Sequence, residues 1–443
     1  MMLFSKKDLK KLIVPLIIEQ ALAFLVGMID TVMVAGVGET AVSGVALVDS
    51  VNILVISLLT ALATGGAVVA GQYLGLKEKG NASHAAQQLV IATFLFSVAI
   101  MAVCLVLNQQ MLSAIFGQTE PAVMDNAVAY FYVTAISYPF IAMFNSAAAL
   151  FRSMGNSKTP MIGALIINLI NIGGNALFIY GFKMGVLGAG LATLISRAVV
   201  AVIMLVLLKN PQLDVHVVRY RIRDIDFPMI RRILKIGIPN GLENSMFQVG
   251  KIVVTSLVAL HGAAAIAAFA VSTSLALVEI VPGAAMGLAI LTVVSRCVGA
   301  GEYGQAEYYT KDLIKKTYLY ILVLNVGMLI FMKPLLGLYQ LSDATFDIAM
   351  ELMIIHSVFT IAIWPASFTL PNALRAAGDV KYTMVVSIVS MWVFRILLSY
   401  VLVYVFGLGL LSVWIAMIVD WVFRSVLFVG RWKSRKWQNY SVV

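Results

Sequence analysis

The sequence GLKEKGNA at residues 75–82 returns as GAGEYGQA at residues 299–306, an offset of 224 residues. Both segments fit the pattern Gly-x-x-Glu-x-Gly-x-Ala, in which glycine permits a helix to end in a tight turn. The same offset relates Pro15 to Pro239, Glu19 to Glu243, Thr31 to Thr255 and Tyr180 to Tyr404. After a slip of one residue, Arg152, Gly155, Lys158 and Met161 match Arg375, Gly378, Lys381 and Met384. The chain is therefore predicted to contain two copies of one structural unit.

The composition is that of a membrane protein. Of the 443 residues, 61% are hydrophobic and 12% are charged, and the mean hydropathy is +0.97. Apolar stretches recur along the chain, and each is long enough, at about 20 residues, to cross a hydrocarbon core of roughly 30 Å. We therefore expect an all-α polytopic membrane protein without a soluble domain. The twelve spans predicted from hydropathy lie near residues 12–37, 44–72, 84–107, 126–151, 160–181, 186–208, 233–259, 264–296, 309–332, 348–374, 382–406 and 410–430.

Each copy holds six of these transmembrane helices, so both copies enter the membrane with the same orientation. Parallel repeats of this kind are related by a pseudo-twofold axis along the membrane normal. We expect an N-lobe at residues 1–208, a cytoplasmic connection at 209–232 and a C-lobe at 233–443. The most charged loop of the chain lies in that connection.

The basic residues that give the net charge of +10 are distributed unequally between the two sides of the membrane. Most of the 31 Lys and Arg residues lie in or beside the termini and the even-numbered loops, whereas Lys183 and Lys333 lie on the other side. By the positive-inside rule, both termini are cytoplasmic. The expected location is the plasma membrane, as a multi-pass protein of a bacterial inner membrane. The distribution argues against a nucleic-acid partner and leaves membrane lipids and a small molecule as partners.

Asp30 is the most informative side chain, because a carboxylate inside a span usually marks an ion or substrate pathway. It lies six residues before Gly36 at the outer end of span 1, which is about 9 Å down the helix at 1.5 Å per residue. Asn175 lies six residues before Gly181 in span 5, which runs in the same direction. The two polar groups are therefore predicted at matching depth in the first lobe.

Asn168, Asn171 and Asn175 follow one another at i, i+3 and i+7 and form one stripe of a helix. Asp30 with Asn171 and Asn175 offers hard oxygen ligands for Na⁺, or a protonatable acid with hydrogen-bond partners. The structural alternative is a satisfied acid beside asparagines that hold helices together. No cofactor is expected beyond a bound Na⁺ or H⁺. Asp49, near the outer end of span 2, is expected to be hydrated.

The second copy does not repeat this polar site. At the same offset, Asp30 aligns with Val254, Asn171 with Arg395 and Asn175 with Ser399. Any cation or proton site of this chemistry therefore belongs to the first lobe.

Five other intramembrane charges are candidates for gating or structural roles: Glu19, Glu243, Lys251, Glu279 and Arg395. Glu19 and Glu243 recur in both copies, each four residues after a proline, which favours a shared structural or gating role over ion binding. Lys251 and Glu279 are expected to form an ion pair across spans 7 and 8.

Four motifs occur in order along the chain. They are Pro15…Gly27-Met-Ile-Asp30-Thr31-Val-Met-Val-Ala-Gly36, Arg152-x-x-Gly155-Asn-x-Lys158-x-Pro160, Asn171-x-x-x-Asn175-x-x-x-x-Tyr180-Gly181 and Trp392-x-x-Arg395-Ile-x-Leu. With six spans per copy, they resemble the multidrug and toxic compound extrusion (MATE) family of cation-coupled antiporters over essentially the whole chain. The resemblance implies a coupling-ion site in the N-lobe and, through the Trp-x-x-Arg pattern, an architectural role for Arg395. Asn175 departs from the Asp found there in some relatives, which leaves one fewer carboxylate to hold a cation.

The resemblance implies a secondary antiporter that exports an organic, cationic or amphipathic compound in exchange for Na⁺ or H⁺ and that can work as a monomer. No Gly-x-x-x-x-Gly-Lys-Ser/Thr, His-Glu-x-x-His or Gly-x-Ser-x-Gly motif occurs, so neither direct use of ATP nor an enzyme activity is expected. One alternative is a lipid-linked oligosaccharide flippase of the same general architecture, although the spans hold few basic residues for its anionic headgroup. Another is a non-transporting membrane sensor or enzyme.

Overall fold

The computed structural model describes residues 2–117, 119–218, 222–339, 341–440 and 442–443, and within these ranges the secondary structure is helical with no β-strand. The first copy forms α1 (Lys6–Ala35), α2 (Glu39–Gly75), α3 (Lys79–Val106), α4 (Asn108–Phe116), α5 (Pro121–Ile136), α6 (Tyr138–Ser153), α7 (Lys158–Asn175) and α8 (Gly185–Leu207). The second forms α9 (Phe227–Ala259), α10 (Ala263–Glu279), α11 (Val281–Gly299), α12 (Tyr303–Ile330), α13 (Met332–Gly337), α14 (Asp343–Trp364), α15 (Pro371–Ala376), α16 (Val380–Val389), α17 (Leu398–Tyr404) and α18 (Leu411–Lys433).

Three π-helical segments continue these helices. Ala176–Gly181 extends α7, Pro365–Thr369 joins α14 to α15, and Ser390–Leu397 joins α16 to α17. Short 3₁₀ helices lie at Ile222–Asp224 and Lys436–Asn439. A π turn closes its hydrogen bonds at i→i+5 and is rare outside functional or adapted positions.

The predicted all-α polytopic fold is confirmed. Across the described ranges, ten helices, some continued by a π segment, are long and apolar enough to cross a membrane. An eleventh candidate is the pair α5–α6, which bends by 45°. Predicted span 8 is divided between α10 and α11, and predicted span 7 is the 33-residue α9, whose first half carries several basic side chains. Each of the twelve predicted spans therefore corresponds to a helix or a helix pair.

The repeat seen in the sequence is also a repeat of backbone conformation. Lys77 has φ 64° in the turn between α2 and α3, and Gly301 has φ 71° in the turn between α11 and α12, at the offset of 224. Gly155 and Gly378, which end α6 and α15, have φ 84° and 95°. A left-handed residue directly after a helix supplies the backbone N–H groups that satisfy the last carbonyl oxygens. The matched segments therefore end their helices in the same way.

The chain divides into two compact units inside α9. The first unit is Lys6–Gly241, and the second is Leu242–Val442 together with residues 2–5. In the first unit, α2 packs against α3, α5 and α6, while α7 packs against α1 and α8. Gly65 permits a close approach within this unit, because a Cβ there would lie 2.6 Å from the carbonyl oxygen of Ile233. In the second unit, α11 packs against α12 and α15, and α10 packs against α14.

Asp226 fixes the start of α9 outside the membrane-spanning segments. Its Oδ1 accepts the backbone N–H of Met229 at 3.3 Å, as an N-cap does, and its Oδ2 lies 2.8 Å from His84 Nε2 on α3. The hydrogen bond to His84, followed by that to Met229, holds the pKa of the Asp226 carboxyl below its usual value. The contact ties the connection between the two copies to the first unit.

Asp226→Ala is expected to lower the melting temperature of the purified protein by a few degrees at most, because it removes a helix cap and the partner of His84. A carboxyl whose pKa is lowered by folding stabilises the folded state above its unfolded pKa, about 3.9, and loses that contribution as the pH falls through the folded value. The difference between wild type and Asp226→Ala should therefore be present at pH 6 and shrink below about pH 4. Melting curves in detergent at both pH values check this; identical curves at pH 6 would contradict the capping role.

Candidate functional site

Asp30 and Asn175 meet within the first unit. The Asn175 Nδ2 group donates to Asp30 Oδ1 at 2.6 Å and lies 3.3 Å from Asn171 Oδ1. The Asn171 Nδ2 group donates to Thr193 Oγ1 on α8 at 3.1 Å. Asp30 is half-buried, whereas Asn171, Asn175 and Thr193 are buried. A chain of polar groups thus crosses from α1 through α7 to α8 inside an apolar bundle.

The helices that carry this chain are held in register by a second contact. The Tyr180 hydroxyl, in the π segment that follows α7, donates to the backbone carbonyl of Met33 on α1 at 2.9 Å. Met33 lies one turn beyond Asp30, and Tyr180 lies one π turn beyond Asn175, so both contacts join the same two helices. Gly36 gives the Tyr180 ring room to approach, because a Cβ there would lie 2.9 Å from the hydroxyl oxygen.

One oxygen in this site has no donor. Asn175 Oδ1 is buried and makes no hydrogen bond with any described residue. A buried polar atom without a partner is unfavourable and calls for an explanation, of which a bound ion is one. The arrangement offers one carboxylate with amide and hydroxyl oxygens, which suits Na⁺ or a proton. Within the described ranges, no group of three or more His, Cys, Asp or Glu side chains could hold a metal ion.

Asn168 does not join the other polar groups of α7. Its Nδ2 group donates to the backbone carbonyl of Ala164 in its own helix at 2.8 Å. The stripe predicted from the sequence therefore divides, with Asn171 and Asn175 at the site and Asn168 bonded along the helix.

Asp49 belongs to a neighbouring polar cluster that the sequence did not single out. The Asn52 Nδ2 group donates to Asp49 Oδ1 at 3.3 Å, and Asn52 Oδ1 accepts the Tyr138 hydroxyl at 2.8 Å. Arg197 on α8 donates to Ser137 Oγ at 2.7 Å. The charges of Asp49 and Arg197 both act on Asp30.

Asp49 also faces a cavity of about 230 Å³ between α1 and α2, which Thr31 lines as well. The expectation that it is merely hydrated is therefore incomplete. The signal available in the sequence was a second carboxylate and an arginine within the spans of one lobe.

Glu19 and Glu243 are each bound by an arginine of their own copy. Glu19 Oε1 accepts Arg152 Nη2, and Glu243 Oε1 accepts Arg375 Nη2 at 2.6 Å. Arg424 approaches the same Glu243 oxygen at 3.8 Å. All five side chains are at least 85% buried. The repeat of both partners at nearly the same offset was the sequence signal for these pairs.

The structure does not bring Lys251 and Glu279 together, and the expected ion pair between them is wrong. The Glu279 carboxylate is bound by His356 Nδ1 at 2.5 Å and by the Ser357 hydroxyl, both on α14. The Lys251 ammonium instead lies 5.3 Å from the centre of the Phe247 ring. Packing of α10 against α14 supplies Glu279 with partners that span order along the chain does not reveal.

Arg395 faces Asp420 of α18, with Nε and Oδ2 3.6 Å apart, and Asp420 also accepts the Ser390 hydroxyl. Both charged side chains are buried. This placement in a helix-to-helix contact agrees with an architectural role for Arg395, although its guanidinium also lines a cavity.

Each of the two copies matches the model of one known protein family. A family model described as MatE matches residues 15–177 and again residues 239–401. The two matches are displaced by the offset of 224, which confirms the internal repeat.

Two curated relatives align with nearly the full chain. The uncharacterized transporter YisQ of Bacillus subtilis (strain 168) is 28% identical over 430 residues, which cover 96% of this chain and 93% of that protein. The probable multidrug resistance protein NorM of Thermotoga maritima is 28% identical over 451 residues, which cover 99% and 94%.

A solved structure described as the outward-facing conformation of a multidrug resistance MATE family transporter of the MOP superfamily has the same fold. It aligns with a TM-score of 0.90 and 21% identity, over 98% of this chain and 97% of that chain. At this identity the likeness concerns the fold alone.

Proposed function

The chain belongs to the MatE family of membrane transporters, and from this premise we propose that it is an antiporter that exports cationic or amphipathic organic compounds in exchange for Na⁺ or H⁺. The coupling ion binds in the first lobe, at Asp30, Asn171 and Asn175. The observation that carries this proposal is the buried contact of Asn175 with Asp30 beside an amide oxygen that has no donor.

Either ion can use that free oxygen. Na⁺ would be held by the Asp30 carboxylate together with amide oxygens, which are hard ligands that suit it. A proton on Asp30 would turn the carboxylate into a hydroxyl donor, and Asn175 Oδ1 is a neighbouring acceptor. Both events neutralise the negative charge at Asp30, and both alter its bond with Asn175.

The bond between Asp30 and Asn175 links α1 to α7, so ion binding changes how these two helices hold each other. A ligand shifts the equilibrium between two conformations only by as much as its affinity differs between them. We propose that the ion favours the conformation that has released substrate. In this proposal the transporter works as a monomer in the plasma membrane, with both termini in the cytoplasm. The basic residues of the even-numbered loops support that orientation.

Efflux from proteoliposomes tests the proposal. A fluorescent amphipathic dye is loaded, and an inward Na⁺ gradient or an inward H⁺ gradient is imposed separately on wild type and on Asp30→Asn. We expect one gradient to drive efflux by the wild type, and Asp30→Asn to fold and insert but to lose gradient-driven efflux. Asn168→Ala is the matched control, since Asn168 lies on the same helix outside the site, and it should retain coupling. Normal coupled efflux by a well-folded Asp30→Asn protein would overturn the assignment.

A further inference from the structure

The second unit contains a cavity of its own, with a volume of about 280 Å³. Sites for small organic molecules are usually about 300–1,000 Å³, so this cavity suits a small ligand. Its wall is largely aromatic, formed by Phe247, Phe269, Trp364, Phe368, Trp414 and Trp421. Such a wall favours a flat or flexible apolar body.

Two cations line the cavity. Lys251 of α9 and Arg395 of the π segment between α16 and α17 both lie near Phe247, at 5.3 and 5.4 Å from its ring centre. None of the described residues that line the cavity is acidic. Positive charge inside a membrane protein is unfavourable unless it is paired, so the pairing of these two groups decides what the cavity accepts.

The acids nearest to the cavity are already occupied. Glu279 is fully buried and bound by His356 and Ser357. Asp420 is fully buried and bound by Ser390, and it faces Arg395 without a hydrogen bond at 3.6 Å. Among the described residues, Lys251 has neither a hydrogen-bond partner nor an ion-pair partner for its ammonium group. One positive charge thus remains uncompensated.

The other unpaired polar groups of the wall are also donors. The indole N–H groups of Trp414 and Trp421 are buried and find no acceptor in the described part of the chain. Both side chains are at least 97% buried. Indole nitrogen only donates, and so do ammonium and guanidinium groups. A ligand that pairs with the two cations of this wall must therefore bring acceptors.

The repeat strengthens the contrast between the two lobes. Val254 in the cavity wall occupies the position of Asp30 in the first copy, and Lys251 occupies the position of Gly27. Arg395 stands where the first copy has Asn171. The second lobe has thus lost a carboxylate and gained two cations at the place where the first lobe has its polar site.

We propose that this cavity binds an amphipathic organic anion. Lys251 and Arg395 hold its carboxylate, sulfonate or phosphate group, and the aromatic wall packs against its apolar body. The inference rests on the proposed transport function, since the bound anion is the cargo, and it narrows the amphipathic class to anions. The two positive charges of the cavity also repel a cation of the same shape.

A matched pair of probes tests the charge preference. Tritiated phenylbutyrate and tritiated phenylbutylammonium share one apolar body and differ in the sign of charge. Equilibrium binding is measured in phosphatidylcholine nanodiscs without any ion gradient. We expect wild type to bind the anion at least about tenfold more tightly than the ammonium probe. Equal binding, preference for the cation or no binding of the anion by folded wild type would overturn the proposal.

Variants locate the preference. Lys251→Met should remove most of the preference for the anion, Lys251→Arg should keep it, and Lys333→Met, which removes a charge outside the cavity, should leave it unchanged. A folded Lys251→Met protein that keeps the full preference would contradict the assignment. The comparison of the two probes on wild type does not depend on the folding of any variant.

Two further comparisons complete the test. The first separates the anion site from the proposed antiport, and the second identifies the source of the anion. Anion binding without gradient-driven efflux leaves the site standing and overturns antiport alone, whereas gradient-driven efflux with cation binding only overturns the site alone. Nanodiscs that contain phosphatidylglycerol distinguish the sources. Loss of phenylbutyrate binding there supports the anion site with a lipid headgroup as occupant, and unchanged binding supports it with a free amphiphile.

Discussion

Glu243→Gln is expected to leave much less folded protein in the membrane than wild type, and less than the matched change Glu19→Gln. Glu243 faces two buried guanidinium groups, Arg375 at 2.6 Å and Arg424 at 3.8 Å, whereas Glu19 is bound by Arg152. Removing one partner of a buried ion pair costs about 3–5 kcal/mol, because the other charge stays behind without compensation. Expression level and the melting temperature in detergent measure the effect.

A double variant separates the charge effect from loss of shape. Glu243→Gln/Arg375→Gln removes one acid and one base together, so it should recover part of the stability that Glu243→Gln loses. Arg375→Gln alone still leaves Glu243 with Arg424, and it should cost less than Glu243→Gln. A Glu243→Gln protein that melts at the wild-type temperature would show that these ion pairs do not hold the second lobe together.

Substitution of Asp30 alone, and exchange of Asp30 with Asn175, are expected to have the second large effect, on gradient-driven efflux. Asp30→Asn should lower gradient-driven efflux by at least about tenfold, because it removes the ionisable group of the site. Asp30→Asn/Asn175→Asp returns a carboxylate to the other side of a 2.6 Å contact, still within reach of Asn171. Efflux by this double variant should therefore exceed efflux by Asp30→Asn several-fold.

A second double variant shows whether recovery of efflux comes from the position of the carboxylate or only from better folding. Asp30→Asn/Asn168→Asp places the new carboxylate on the same helix, at a side chain bonded to its own backbone. It should stay as inactive as Asp30→Asn. Equal recovery by both double variants, with equal amounts of folded protein, would mean that the carboxylate does not act at the contact of α1 with α7.

The contact between Asp30 and Asn175 could be predicted from the sequence because it depends on local geometry. A fixed rise per residue sets the depth of a side chain in a span, and the glycines at the outer ends gave a common reference. The partners of Glu279 could not be predicted in the same way. They come from α14, and span order along the chain does not state which helices become neighbours.

The ion pairs of Glu19 and Glu243 could be predicted from the sequence only in part. Depth and hydropathy do not reveal that Arg152 and Arg375 are the partners, since the pairing depends on the tertiary fold. Nevertheless, both acids and both arginines occur once in each copy at nearly constant spacing. Two groups of opposite charge that occur together in both copies were a signal for contact, which the acids alone do not give.

The π-helical segment Ser390–Leu397 lies where the offset between the two copies returns from 223 to 224 residues. Between Met384 and Tyr404 the second half has one residue more than the first half has between Met161 and Tyr180. The first copy has its own π segment, Ala176–Gly181, at a later position after α7. A π turn accommodates an additional residue without breaking the helix. The two copies thus keep corresponding helices although their register shifts by one residue here. Arg395, one of the two cations that line the cavity of the second unit, lies on this π segment.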